Sequence, residues 1–174
     1  MTEKVILVDS NDVAIGLMEK MQAHEQAQLH RAFSVFLLND NNEVLLQQRA
    51  LSKYHCAGMW TNTCCSHPRE GETLQKAVDR RLLEEMGISC KTDWSYSFIY
   101  KADVGNGLVE HELDHVFLGR FNEQPKPNIE EVAAWKYMSV NELKTDMADY
   151  PERYTPWFKI IFNEVTNKGI LELV

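Results

Sequence analysis

Short apolar segments alternate with polar turns along most of this chain, a pattern typical of antiparallel strands joined by hairpins. Strands are predicted near residues 5–8, 14–20, 29–38, 43–48, 95–101, 111–119 and 133–138. The first two flank a polar turn at 9–12, and the third and fourth flank the stronger turn signal at 39–42 (NDNN). The pattern therefore predicts two hairpins in the first part of the chain.

A helix is predicted from Thr73 to Met86, because apolar residues recur there at the spacing of one buried helix face. Thr73 stands at the N-cap position, and Gly87 follows the last turn, where helices commonly stop. The chain from Val140 onward is predicted to be helical, with breaks at its prolines. Several strands, one central helix and terminal helices indicate an α+β or sandwich-like domain, with mixed and antiparallel sheets packed between helices.

Length and charge narrow the possible functions. A chain of 174 residues fits one domain, predicted over residues 1–174. The net charge of −8 argues against nucleic-acid or anionic-membrane binding, although a few local cations can still hold a small anion. No apolar run is long enough to insert into a membrane, and the N-terminus lacks a secretory pattern, so a cytoplasmic location is predicted. The oligomeric state is left open.

A thiol and an imidazole stand two residues apart in the segment 61–68 (TNTCCSHP). In an extended segment Cys65 and His67 point to the same side, which would place both in one pocket. The four cysteines show no repeated Cys-x-x-Cys pair, so a cysteine zinc site is disfavoured. Taken alone, this pair is more often a buried thiol near an ordinary histidine than a reactive thiol beside a metal ligand.

The predicted helix carries two charges on its apolar face. Arg81 and Glu85 fall in line with Leu74 and Val78. Burying a charge without a partner is costly, so two interpretations remain open. The pair forms an ion pair at the edge of the apolar stripe, or both side chains face a cleft that holds a metal and an anion.

Imidazoles and carboxylates suited to a metal are scattered along the chain. Glu110 and Glu112 alternate on a predicted strand, so both face one side. The candidate ligands for one octahedral site are His24, His30, His67, Glu110 and Glu112. Such a set suits Mn²⁺, Mg²⁺ or Zn²⁺. His55, His111 and His115 compete with these histidines, and spacing alone does not decide among the six.

Four cations lie near the ends of predicted elements: Lys20, Arg49, Lys53 and Arg81. Any one of them is more often an ordinary surface residue. Together with a metal-binding helix they would clamp a diphosphate.

The predicted helix and the residues before it show a characteristic spacing of charged residues and a glycine: Glu72, Arg80, Glu84, Glu85, Gly87 and Ile88. This spacing resembles the Nudix box, whose helix glutamates bind divalent metal around a diphosphate. Two positions depart from the box: Ser66 replaces its opening glycine, and Arg81 replaces the glutamate expected after Arg80. A cation in place of a metal-binding carboxylate disfavours diphosphate hydrolysis and favours holding a diphosphate without cutting it.

Four further motifs occur in order: 29–34 (LHRAFS), 48–53 (QRALSK), 60–68 (WTNTCCSHP) and 110–112 (EHE). With them the chain closely resembles the type I isopentenyl-diphosphate delta-isomerase family over about residues 4–160. The resemblance implies a Nudix-like fold. It also implies flavin-independent interconversion of isopentenyl diphosphate and dimethylallyl diphosphate in isoprenoid biosynthesis, through a carbocation-like intermediate.

The same resemblance assigns roles to residues. The catalytic positions fall on Cys65, Glu112, Tyr100 and Trp157. The metal ligands fall on His24, His30, His67, Glu110 and Glu112, with Glu85 holding a second ion, Mg²⁺, that bridges to the diphosphate. The substrate-binding positions fall on Lys20, Arg49, Lys53 and Arg81. Cys65 is chosen over Cys64 because it is the thiol two residues before His-Pro.

Two other functions remain as alternatives. A Nudix-type diphosphate hydrolase would need a carboxylate where Arg81 stands, and it would give Cys65 no role. A catalytically silent module that binds metal or a diphosphate would leave the combination of Cys65 and Glu112 unexplained. The sequence leaves open the metal at the His/Glu site and which of Cys65 and Glu112 acts as acid in each direction.

Overall fold

Nine strands form one mixed sheet in the computed structural model, which describes residues 3–172. The strands are β1 (Lys4–Val8), β2 (Ala14–Glu19), β3 (His30–Leu38), β4 (Glu43–Arg49), β5 (Trp60–Thr61), β6 (Cys64–Ser66), β7 (Thr92–Gly105), β8 (Leu108–Arg120) and β9 (Val132–Ser139). The helices are α1 (Lys20–Glu25), α2 (Leu74–Met86), α3 (Val140–Asp149) and α4 (Pro156–Asn167). Within this described part, no helix is long and apolar enough to span a membrane.

The central strand β3 determines how the sheet is assembled. It pairs in parallel with β8 along its whole length, from His30 opposite Glu112 to Leu38 opposite Arg120. On its other side it pairs antiparallel with β6. β8 forms a long antiparallel hairpin with β7, and β4 pairs with β9 and β5. This arrangement brings residues from distant parts of the sequence onto neighbouring strands.

The two predicted hairpins had different outcomes. β1 and β2 pair antiparallel as predicted, although the second strand stops at Glu19 because Lys20 begins α1. The prediction that 29–38 and 43–48 pair as a hairpin was wrong beyond the turn. Only Leu38 lies opposite Val44 there, because β3 pairs along its length with β8 and β4 pairs with β9.

The predicted helix is confirmed as α2, together with its ends. The Thr73 side chain accepts a hydrogen bond from the Lys76 amide, and Gly87 ends the helix in the left-handed conformation, with φ of 64°. A Cβ on Gly87 would also lie 2.3 Å from the Lys126 carbonyl oxygen, so glycine is required on two grounds. The helical tail is confirmed as α3 and α4, separated by the short 3-10 turn Pro151–Arg153.

Two apolar clusters lie on opposite faces of the sheet. α3 and α4 cover one cluster, which contains Phe36, Leu46 and Val116 from the strands. α2 covers the other, which contains Val35 and Phe117. A sheet between helices on both faces confirms the predicted α+β class. The single domain over 1–174 stays a prediction, since residues 1, 2, 173 and 174 lie outside the described part.

Candidate active site and metal centre

Most of the predicted site residues meet in one pocket on the sheet face that α4 covers. Alternate residues of β3, β7 and β8 point to this face, because side chains alternate along a strand. The register places His30 and Tyr100 on either side of Glu112. The pocket is lined by Lys20, Arg49, Lys53, Tyr54, His55, Cys65, Ser66, His67, Tyr100, Glu110, Glu112 and Trp157.

The five predicted metal ligands form a buried cluster. Each offers one nitrogen or oxygen atom, and these atoms all lie within 4.8 Å of one another. His24 Nε2 is 3.0 Å from Glu110 Oε2, and His67 Nε2 is 2.9 Å from Glu112 Oε1. His30 Nε2 is 3.6 Å from the same Glu112 oxygen. The sequence had separated these residues by up to 88 positions, so the fold alone unites them.

Unsatisfied polar atoms show that this cluster fits a divalent metal. His30 Nδ1 lies 2.8 Å from the Gln28 carbonyl, which can only accept, so Nδ1 carries the proton, and in the neutral ring Nε2 has a lone pair for a metal. The buried atoms His24 Nε2, His30 Nε2 and Glu110 Oε2 lack a hydrogen bond of good geometry. Such atoms are costly to bury, and a divalent cation would satisfy all three.

The carboxylates and imidazoles of the cluster shift one another's pKa values. Burial acts to raise the pKa of Glu110, but contacts with His24 and His55 outweigh it and hold that pKa well below its usual range. For Glu112, burial and the neighbouring Glu110 also act upward, yet His30 and His67 bring the pKa below its usual value. Burial lowers the pKa of His67. Ionised carboxylates and a neutral imidazole are the forms that bind a metal.

The Cys65 thiol lies in the pocket, whereas Cys64 faces the other way. Cys65 packs against the cluster under α4, and Cys64 is buried in the cluster under α2. Cys65 Sγ donates to Asn62 Oδ1 at 2.9 Å and lies 3.4 Å from Ser34 Oγ. Burial raises the pKa of the Cys65 thiol, and a nearby aspartate adds to the shift. The thiol is therefore protonated at neutral pH.

Tyr100 and Trp157 also line the pocket. The Tyr100 hydroxyl donates to Glu112 Oε2 at 2.5 Å, so both oxygens of this carboxylate are held. Burial raises the pKa of Tyr100 well above its usual value, which keeps it a donor. Trp157 is buried near the start of α4, and the Arg49 guanidinium lies 5.1 Å from its ring centre.

The predicted cations are divided between the pocket and the neighbouring helix. Lys20, Arg49 and Lys53 line the pocket, but Arg81 does not. Arg81 instead lies 2.5 Å from Glu85 and 2.7 Å from Glu84, which is the ion pair that the sequence left as one of two interpretations.

One carboxylate connects the pocket to helix α2. Glu131 Oε2 pairs with Lys53 and also lies 3.5 Å from Arg81 Nη2. Glu85 is buried and accepts from Gln47 Nε2 at 2.8 Å. Glu85 is not among the five clustered ligands or the pocket-lining residues, so its Mg²⁺ role stays a prediction.

Sequence reasoning gave no role to several residues in or beside the pocket. His55 had been treated only as a competitor, yet its Nε2 lies 3.4 Å from Glu110 Oε1. Tyr54 lines the pocket beside it. Asn62, which holds the Cys65 thiol, lies inside the recognised segment 60–68. The available signal for Tyr54 and His55 was their position directly after the motif 48–53.

Comparison with known proteins assigns the fold first. Residues 28–158 match the family model for the NUDIX domain. A solved protein from Deinococcus radiodurans has a TM-score of 0.78 at 17% identity, covering 93% of this chain and 98% of its own. A MutT NUDIX hydrolase from Burkholderia pseudomallei has a TM-score of 0.62 at 21% identity, covering 79% and 98%. The chain is a Nudix domain, as its helix motif predicted.

Curated relatives then define the branch of the Nudix proteins. Isopentenyl-diphosphate Delta-isomerase 1 of Aromatoleum aromaticum is 47% identical over 95% of this chain and 93% of its own. The Burkholderia multivorans isopentenyl-diphosphate Delta-isomerase is 49% identical over 91% and 90%. The chain belongs to the isopentenyl-diphosphate Delta-isomerase family, which confirms the family and the enzyme class predicted from its motifs.

Proposed function

We propose that this protein interconverts isopentenyl diphosphate and dimethylallyl diphosphate in isoprenoid biosynthesis. The observation that carries the proposal is the joint placement of two proton carriers in one pocket. The protonated Cys65 thiol and the hydrogen-bonded pair of Glu112 and Tyr100 line the same pocket, with cations at its border. A double-bond shift requires one group that donates a proton and another that accepts one, and this pocket contains both.

The reaction adds one proton and removes another. In the forward direction a proton joins the terminal methylene carbon of the alkene, and a proton leaves the methylene carbon on the other side of the branched carbon. We assign one transfer to Glu112 with Tyr100 and the other to Cys65, with their roles exchanged in the reverse direction. The double bond thereby moves by one carbon, and the protein regains its protonation state after proton exchange with solvent.

The charge that develops between these steps resembles a tertiary carbocation. The π face of Trp157 stabilises it without forming a bond. Water would trap such a cation, so the buried walls of the pocket protect it. A divalent ion such as Mn²⁺, Mg²⁺ or Zn²⁺, held by the His/Glu cluster, would supply positive charge that fixes Glu112, and Mg²⁺ held by Glu85 would offset diphosphate charge.

Cations give the pocket its affinity for a small isoprenoid diphosphate. Lys20, Arg49 and Lys53 line the pocket although the net charge of the protein is −8. Arg81 offsets the charge of Glu84 and Glu85, which lowers the number of free carboxylates on the helix. This favours holding the diphosphate over hydrolysing it. A cytoplasmic location stays a prediction from the sequence.

The proposal is tested by incubating the purified protein with isopentenyl diphosphate and Mg²⁺. We expect acid-labile dimethylallyl diphosphate to form without release of phosphate. Release of inorganic phosphate without isomerisation would support the hydrolase and overturn the proposal. Substrate binding with neither product would support the catalytically silent module.

We expect Arg81→Gln to raise the KM for isopentenyl diphosphate more than it lowers kcat. Arg81 lies outside the pocket, but it shares Glu131 with Lys53, so without Arg81 we expect Glu131 to bind Lys53 more tightly and leave less of that positive charge for the diphosphate. An indirect effect of this kind is worth about 0.2–1 kcal/mol. Glutamine is the chosen replacement, because a glutamate at position 81 would be repelled by the neighbouring carboxylates of Glu84, Glu85 and Glu131. Steady-state kinetics measure the effect, and Arg153→Gln is the matched control, since Arg153 pairs with Asp146 outside the pocket. Unchanged kinetics would reduce Arg81 to an ion-pair residue.

A further inference from the structure

His55 lies beside Glu110, Trp157 and Arg49, and neither proton transfer requires it. Its Nε2 is 3.4 Å from Glu110 Oε1, and its ring centre is 5.6 Å from that of Trp157. Its backbone carbonyl accepts from Arg49 Nη2 at 3.2 Å. The side chain is 6% exposed, so these contacts are made away from water.

The two oxygens of Glu110 face different partners. Oε2 lies 3.0 Å from His24 Nε2 inside the ligand cluster, and Oε1 lies toward His55. His55 is not one of the five residues whose ligand atoms cluster within 4.8 Å. It therefore acts on the cluster through Glu110 instead of joining it. A carboxylate ligand fixed at one oxygen has fewer orientations in which the other can turn away from the metal.

We propose that His55 is a positioning residue of the metal site, holding Glu110 Oε1 so that Glu110 Oε2 faces the ion. The inference rests on the metal cluster in the proposed function and extends it to a residue outside the predicted ligand set. Hydrogen-bonded partners of metal ligands typically contribute 10–100-fold to metal affinity or activity.

His55 also lies between the metal cluster and the cations proposed to bind the diphosphate. Its backbone carbonyl accepts a hydrogen bond from Arg49, and the ring centre of Tyr54 lies 4.4 Å from that of His55. Lys53 belongs to the same short segment and lines the pocket. A change of the His55 side chain leaves its carbonyl in place. Metal affinity is therefore expected to respond more strongly than substrate KM.

Two variants distinguish the effect of the imidazole N–H donor from the effect of the size of the ring. His55→Phe keeps a ring beside Tyr54 and Trp157 but cannot hold Glu110. His55→Gln loses the ring and keeps an N–H donor at a similar reach. The probe is Mn²⁺ titrated into metal-stripped protein, with free Mn²⁺ followed by its electron paramagnetic resonance signal. We expect His55→Phe to weaken Mn²⁺ binding by about 10–100-fold and His55→Gln to bind nearly as the unaltered protein does.

His115→Phe is the matched control, because His115 is a buried histidine that also faces a carboxylate, Asp12 at 3.1 Å, but lies outside the pocket. Circular dichroism of the metal-stripped proteins monitors folding, and His55→Ala serves as a second donor-free variant should phenylalanine not be accommodated. Unchanged Mn²⁺ affinity in the donor-free variant, or equal loss in His55→Gln, would overturn the inference. Failure of the unaltered protein to bind Mn²⁺ would overturn the metal site itself.

Discussion

Cys65→Ala is expected to lower the isomerisation rate by about 10²–10⁴-fold, the usual contribution of a positioned proton-transfer group. The variant removes the thiol that Asn62 and Ser34 hold in the pocket, and alanine has no exchangeable proton to offer in its place. Steady-state kinetics with isopentenyl diphosphate measure the loss. Substrate KM is expected to change little, because the pocket cations are untouched.

Cys64→Ala is the matched control for this prediction. The two thiols are neighbours in sequence but lie on opposite faces of the sheet, and Cys64 packs under α2. We expect the variant to keep most of its activity and to lose some stability, because a buried side chain becomes smaller. Comparable loss of activity in two folded variants would show that the register assigned to the catalytic thiol is wrong.

Glu112→Gln is expected to lower both turnover and bound metal. Glutamine fills the same space, but it is a weaker metal ligand and a poor proton carrier, so two functions are lost in one step. We expect a rate loss of at least about 10²-fold. Elemental analysis of the purified protein, beside the kinetic assay, measures both effects in the same sample.

His111→Gln is the control for the metal site. His111 lies between Glu110 and Glu112, yet it points to the other face of β8, where its Nδ1 lies 2.8 Å from the Ala27 carbonyl. We expect metal content and turnover close to those of the unaltered protein. Full metal content in Glu112→Gln, or an equal loss in His111→Gln, would contradict the proposed ligand set.

Local signals predicted most of the elements. The α2 helix was predicted because its apolar stripe, its N-cap residue and its terminal glycine all lie within the segment 73–87 and indicate the same helix. Strand β6 and helix α1 are short, and their apolar residues show no clear period, so neither was predicted. The pairing of β3 with β8 was also missed. It joins residues about 80 positions apart, and alternation along one strand does not name its partner.

The site residues also divide into those that local spacing predicts and those that depend on contacts between distant segments. Alternation on one strand was enough to put Glu110 and Glu112 on one side, and the structure places both in the cluster. The role of His55 depends on how the segment after Arg49 folds back over Glu110, a non-local contact that no periodicity encodes. Arg81 shows the reverse case. The helix spacing allowed its contact with Glu85 as one of two interpretations, but spacing could not tell that both side chains lie outside the pocket lining.

The central claim is that the double bond moves by proton addition and removal through exchangeable groups of this pocket. It is tested most directly by running the reaction in deuterated water and measuring the product by mass spectrometry at low conversion. Acidic protons of Cys65, Tyr100 and Glu112 exchange with solvent, so we expect dimethylallyl diphosphate that carries deuterium in the newly formed methyl group. Dimethylallyl diphosphate formed at the same rate without deuterium would indicate a direct hydrogen shift within the substrate and would contradict the account.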